Sequence, residues 1–290
     1  MTTRCARVRS IWGRERVALA PTPLEVAVGV VLCAAAVGCR HTPPTTGTAP
    51  STVSQGRRTD PTTGTDVVRA MHDKYAAVWY KTLTFSQTTT ITTQNGGTLQ
   101  QQWLEAGKFP GRLRIDTDTA GRGGVIYSGD SLFAFANGKL ASSRAQMNEL
   151  LILGFDVYTQ AVDRTVDILR QQGIDLSKVS RATWEGRPVF VVGALAGDST
   201  SKQFWVDAER LLFVRLMETA KTANGPRRDE YRFLRYVPHG QAWVAEEVIG
   251  LRAGKPSLHE IYANVRVDVP LDDATFDPAQ YATFTPWYRR

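Results

Sequence analysis

The feature that most constrains this chain is a long succession of short segments in which apolar and polar residues alternate, each ended by Gly, Asn, Asp or Pro. Side chains alternate across a strand, so period-two runs of this kind read as β-strands rather than helices. The first half carries them at residues 82–93, 98–108, 112–117, 125–128 and 131–136. Asn95-Gly96-Gly97, Gly129-Asp130 and Asn137-Gly138 punctuate them, and Asn-Gly supplies the positive φ angles a tight hairpin needs. The second half repeats the pattern at 179–184, 188–195, 202–207, 211–218, 228–237, 242–250 and 257–267. Strands joined in sequence by short turns form antiparallel meanders. About a dozen of them are too many for a flat open sheet, so the sheet must curl. No self-similar repeat of fixed period points to a propeller or solenoid.

Two stretches break the alternation. Residues 66–83 place Val67, Val68, Met71, Tyr75, Val78 and Trp79 on one helical stripe with charges opposite, an amphipathic helix whose aromatic side caps a sheet. Between residues 142 and 172 the pattern is again helical. Met147, Leu150, Leu151 and Leu153 are followed by Val157, Ala161, Val162, Val166 and Leu169, and Gly173 stands as a C-cap. Two helices broken near Gly154 are expected, the first apolar almost all round and hence buried on more than one side.

The amino terminus decides where such a domain works. Residues 26–38 are uncharged and contain only Val, Ala, Leu, Gly and one Cys, preceded by Arg4, Arg7, Arg9, Arg14 and Arg16. A bilayer span needs roughly 20 apolar residues, so this stretch has the length of a signal-peptide core with its basic leader. Small residues Ala36-Val37-Gly38 directly before Cys39 resemble a bacterial lipobox, with Ala36 where such signals prefer Leu. That resemblance implies diacylation of Cys39 and cleavage before it, and two acyl chains anchor stably where one is marginal. The alternative is ordinary secretory cleavage near Ala36-Val37-Gly38. Cys5 and Cys33 would leave with the peptide, so the mature protein has no disulfide and rests on its core alone. The same cut removes five Arg and two Glu and lowers the formal net charge from +7 to +4, no footprint for nucleic acid. Residues 40–65, rich in Thr, Pro, Gly and Ser, read as a disordered tether reaching about 30 Å as a coil and roughly 80 Å fully extended.

Taken together, the leading helix, the strand with KFPGRLRID, the hairpin VIYSGDSLFAFANGKL, the helical insert, the pair in KQFWVDAERLLFVRLMETAKTANGPRRDEYRF and the closing VDVPLDDATFDP resemble the bacterial lipoprotein-carrier family (LolA/LolB-like). The similarity covers roughly residues 66–278 and lies in the order of motifs. It implies an α+β fold: a strongly curved antiparallel β-sheet forming an unclosed barrel, with helices lidding a concave face that holds acyl chains. The domains implied are a lipoprotein signal peptide (1–38), a tether (39–65) and a lipoprotein-carrier-like domain (66–290). Strand parity pairs Leu99 with Trp103, Leu113 with Ile115, Phe133 with Phe135, Phe190 with Val192 and Phe204 with Val206 on common faces. The cavity lining expected on this basis is Trp103, Leu113, Ile115, Phe133, Phe135, Phe190 and Phe204, with Leu150, Leu151 and Phe155 from the lid.

Reactive chemistry is not evident in the sequence. His41, His72, His239 and His259 have no metal-ligand spacing between them, and no Cys joins them. Glu246-Glu247 and Asp272-Asp273 are adjacent carboxylates, and strand neighbours face opposite sides. Neither a nucleophile elbow nor a phosphate loop occurs; Gly121-Arg122-Gly123-Gly124 lacks the Lys-Ser/Thr of a phosphate cradle and reads as a hairpin tip. The expected protein is a monomeric, non-enzymatic envelope lipoprotein without cofactor or metal. It faces the periplasm, anchored to the inner or outer membrane by Cys39, and binds acyl chains of lipids or lipoproteins for transport or sorting. An envelope sensor or a structural assembly lipoprotein using the same fold for protein contacts is the alternative.

Overall fold

The computed structural model describes Asp60–Arg289 apart from Gln94, Thr119, Asn224 and residues 284–286. The export segment, Cys39 and most of the tether lie outside the described residues. The first helix, α1 (Gly64–Tyr75), begins two residues earlier than the sequence predicts. Its start is a capping box: the Asp66 amide donates to Thr63 Oγ1 at 3.2 Å and the Thr63 amide to Asp66 Oδ2 at 2.9 Å. Gly64 is required there, because a Cβ would stand 2.5 Å from Val192 Cγ1. The helix stops at Tyr75, short of the predicted residue 83, yet Trp79 stays buried by stacking on Tyr158 at 3.8 Å.

Among the described residues thirteen strands form one antiparallel sheet. The first meander comprises β1 (Thr82–Thr92), β2 (Thr98–Lys108), β3 (Arg112–Asp116), β4 (Gly124–Ser128), β5 (Ser131–Ala136) and β6 (Lys139–Ala145). The second comprises β7 (Val179–Trp184), β8 (Arg187–Val192), β9 (Gln203–Asp207), β10 (Phe213–Thr222), β11 (Gly225–His239), β12 (Ala242–Arg252) and β13 (Lys255–Val267). The meanders join where β1 pairs β13, giving the order β6-β5-β4-β3-β2-β1-β13-β12-β11-β10-β9-β8-β7. The two ends, β6 and β7, do not pair, so the sheet is not closed into a barrel.

β6 spans residues 139–141, to which the sequence assigns no element, and 142–145, which it reads as helical. Every residue of it is exposed, so hydrogen bonding to β5 rather than an apolar face makes it a strand. The helical insert is accordingly shorter: α2 (Glu149–Gly154), a 3-10 turn at Asp156–Tyr158, and α3 (Val162–Gln171) closed by Gly173 at φ +83. The break falls at Gly154, where a Cβ would press on the Phe233 ring at 2.9 Å.

All three helices pack on one face, where Val67, Met71, Leu153, Leu169, Phe190, Phe204, Phe213 and Phe233 belong to one core. The face is strongly concave. Val125 of β4 and Leu216 of β10 stand seven strand positions apart in the sheet, about 33 Å if it were flat, yet line one cavity. The convex face is covered in two places. Val189, Val191 and Val214 pack with Trp184 and Trp205 on one side, and Tyr281 packs on Ile126 and Phe135 on the other.

Candidate ligand cavity

Strand register decides which side chains look into the concavity. On β1, Leu83, Phe85, Gln87, Thr89 and Ile91 point inward; Phe85 is opposite Glu105 of β2, Gln87 lies between Trp103 and Tyr262, and Thr89 is opposite Glu260 of β13. The next strand continues the row, since Glu105 is opposite Ile115 of β3 and Ile115 is opposite Val125 of β4. Of these, Ile91, Trp103, Ile115, Val125 and Glu260, together with the start of α2, enclose a cavity of about 680 Å³. Its apolar wall includes Ile91, Trp103, Ile115, Val125, Leu132, Met147, Leu150 and Leu216, an extent in the range of small-molecule sites. A smaller recess of about 100 Å³, walled by Leu83, Phe85, Phe109, Leu113, Leu151 and Phe155, shares Ile115, Asn148, Leu150 and Glu260 with it.

The lid is set by Asn148, whose Oδ1 accepts from the amides of Leu150 at 3.0 Å and Leu151 at 3.2 Å. An N-cap of this kind fixes the direction in which Leu150 enters the cavity. On the second meander's side Lys202 holds the lid: its Nζ binds the Glu149 carboxylate and lies 3.1 Å from Glu218. Burial pushes the Glu149 carboxyl up and Lys202 opposes that shift. Arg144 and Lys221, both exposed, and Arg252 mark the polar side of the cavity.

Six of the residues expected to line a cavity do so. Trp103 and Ile115 line the main chamber, Leu150 and Ile115 face both, and Leu113, Leu151 and Phe155 face the recess. Phe190 and Phe204 are on the concave face but are consumed by packing under the helices, each 3 % exposed or less. Phe133 and Phe135 are a correction: they point to the convex face, where Phe135 stacks on Tyr281 at 3.7 Å. Their alternates Leu132 and Ala134 are the ones that face inward.

The sequence reading missed the acids of the floor. Glu105 is 6 % exposed and faces the recess, and Glu260 faces both chambers. Burial first, and the neighbouring Glu260 carboxylate second, push the Glu105 carboxyl well above its usual range; burial also raises Glu260. Parity could have found them, since Glu105 shares its face with Leu99 and Trp103, and Glu260 with Leu258 and Tyr262. Elsewhere the acids are structural. Glu246 meets His239 at 3.3 Å, Glu247 meets His259 at 2.8 Å, and Asp273 meets Lys108 and Arg112 on the surface. Among the described residues no three His, Cys, Asp or Glu side chains are grouped to hold a metal.

No family model matches the chain, and no curated protein matches it. Solved structures do. A DUF1329 family protein from Desulfovibrio piger is matched over 100 % of its length by 77 % of this chain, at 14 % identity and a TM-score of 0.50. A LolA superfamily protein from Nitrosomonas europaea is matched over 97 % of its length by 72 % of this chain, at 9 % identity and a TM-score of 0.45. An outer membrane lipoprotein-sorting protein domain from Vibrio parahaemolyticus is matched over 98 % of its length by 76 % of this chain, at 10 % identity and a TM-score of 0.47. At such identities likeness is one of fold, and this chain is similar in fold to the Desulfovibrio piger protein over that protein's whole length.

Proposed function

We propose that this protein holds hydrocarbon chains of a lipid or lipoprotein in the concave cavity, as an envelope carrier or acceptor tethered through an acylated Cys39, and catalyses no reaction. The observation that carries the reading is the cavity of about 680 Å³, walled by aliphatic and aromatic side chains and continued by an apolar recess. An apolar chamber of this size gains free energy by exchanging water for a tail, roughly 25 cal/mol for each Å² of apolar surface removed. Its wall comes from rigid strands, with one short helix as lid, so a tail has a preformed seat. The exported leader and Cys39 read from the sequence supply the location.

Native mass spectrometry of the full-length protein, released from its host's membrane in a mild detergent that is removed in the gas phase, tests this. The expected spectrum shows the acylated protein and a second population heavier by a discrete acyl-bearing ligand that organic solvent extracts. Protein that is always ligand-free, and that takes up no fatty acid or phospholipid offered to it, would contradict the reading.

A further inference from the structure

The floor of the cavity is rich in hydrogen-bond acceptors and poor in donors. Among the described residues the Glu105 carboxylate makes no hydrogen bond, and behind the floor the Gln87 side chain, 1 % exposed, gives its Nε2 to Thr89 Oγ1 at 2.9 Å while its Oε1 has no partner. The Gln87 amide also lies against the Glu260 carboxylate, which has no other hydrogen-bond partner among the described residues. Gln87 thus stands in the register between the two acids: Phe85, two residues before it, is opposite Glu105, and Thr89, two residues after, is opposite Glu260. A carboxylate as buried as Glu105, with the half-buried Glu260 near it and no cation beside either, is costly in an empty protein.

The charged groups around the cavity leave this floor unserved. Lys202 is engaged by Glu149 and Glu218, Arg144 donates to Gln146, and neither these nor Lys221 and Arg252 bear on Glu105 or Glu260. The other titratable groups nearby are the phenols of Tyr127, Tyr231 and Tyr262, all raised by burial and neutral through the physiological range.

We propose that Glu105 and Glu260, which both line the recess, form a receptor for the primary ammonium group of an amphiphile whose tail lies against Trp103, Ile115 and Leu150. An ammonium presents three donors on a compact charge, and two carboxylates that no cation serves offer it acceptors and opposite charge. A charge-assisted pair in a dry site is stronger than its neutral counterpart. This rests on the tail-binding reading and adds the head group. In the unliganded protein burial, with the Glu260 carboxylate beside it, keeps a proton on Glu105, so an ammonium displaces a proton and binds more tightly as pH rises. A neutral tail has no such dependence.

Calorimetric titration of the full-length protein, stripped of bound lipid, with decylammonium, 1-decanol and decanoate at pH 6.0 and 8.5 separates the two readings. Decylammonium is expected to bind at least about tenfold more tightly than 1-decanol at pH 8.5, with proton release seen as a buffer-dependent heat, and with a smaller ratio at pH 6.0. In Glu105→Gln combined with Glu260→Gln the ratio should fall to near one, and circular dichroism should report an intact fold. A ratio near one in the unaltered protein, or a preference that survives the double substitution, would overturn the ammonium site. If 1-decanol fails to bind but decylammonium binds in an acid-dependent way, the head-group site stands and the tail reading falls. If neither binds, both fall.

Discussion

At the scale of single residues, Leu150 and Asp156 separate the cavity from the packing that supports it. Leu150 touches both chambers from α2 and is only half-buried, so there is room toward the cavity for a larger side chain. Leu150→Trp should fill the junction and weaken alkanol or fatty-acid binding about tenfold while shifting the thermal midpoint by no more than a few degrees. Unchanged affinity would argue that ligands sit elsewhere. Asp156 is a different kind of acid: it is 2 % exposed, accepts from the Gly111 amide at 2.9 Å, and burial pushes its carboxyl up to about 7 from 3.8. A folded-state value above the unfolded one means stability that is fully present below about pH 4 and is lost as pH rises through about 7. Asp156→Asn keeps an acceptor for Gly111 and removes the charge. It should therefore stabilise the protein at pH 8 by roughly 1–4 kcal/mol and change little at pH 4, read from urea midpoints. An equal change at both pH values would show that titration is not the cause. The sequence made part of this residue scale legible: period two pairs Leu99 with Trp103 and Leu113 with Ile115 on common faces, without saying which face looks inward. It did not reveal that an acid of the same parity shares the wall, because a Glu on a strand is ordinarily read as the solvated side.

At the scale of elements, the segment after β13 covers the first meander's convex face. Beneath it Arg114 and Asp116, neither exposed at all, pair at 3.0 Å; Tyr281 Oη donates to Asp116 at 3.1 Å and Arg114 Nη1 to the Thr275 carbonyl at 3.3 Å. Burial raises the Asp116 carboxyl, and the Arg114 guanidinium opposes the shift. Tyr281→Phe keeps the stacking on Phe135 and the contact with Arg114 at 4.5 Å but takes one donor from a buried carboxylate. It should cost about 1–3 kcal/mol of stability without altering ligand affinity. A loss of affinity would mean that the convex segment and the cavity are coupled. This cover explains why Phe133 and Phe135 misled the parity reading. Both faces of β5 are buried, so aromatic residues there could belong to either, and only the later placement of Tyr281 says which. Helix boundaries erred for a related reason. Residues 139–145 have no apolar face to announce a strand, and the Thr63 cap sits inside a run whose composition reads as tether.

At the scale of the molecule, the two meanders meet at β1 and β13, residues far apart in sequence, and neither half alone walls the cavity. β2, β3, β4 and β5 supply one side, β10 and β13 another, and the helical insert between the meanders supplies the lid. The number of strands made curvature legible from the sequence. The cavity was not, because whether a curved sheet is filled by its own side chains depends on which inward positions carry small or bent residues, a matter of packing rather than pattern. The central claim is that this hollow seats a hydrocarbon tail, and photocrosslinking with a diazirine-bearing fatty acid reads its position directly. Labelled peptides should come from residues 98–117 and 147–155, with label on or beside Trp103, Ile115 and Leu150, and the Leu150→Trp protein should lose it. Label confined to the convex face, or spread with no preference for these peptides, would contradict the account.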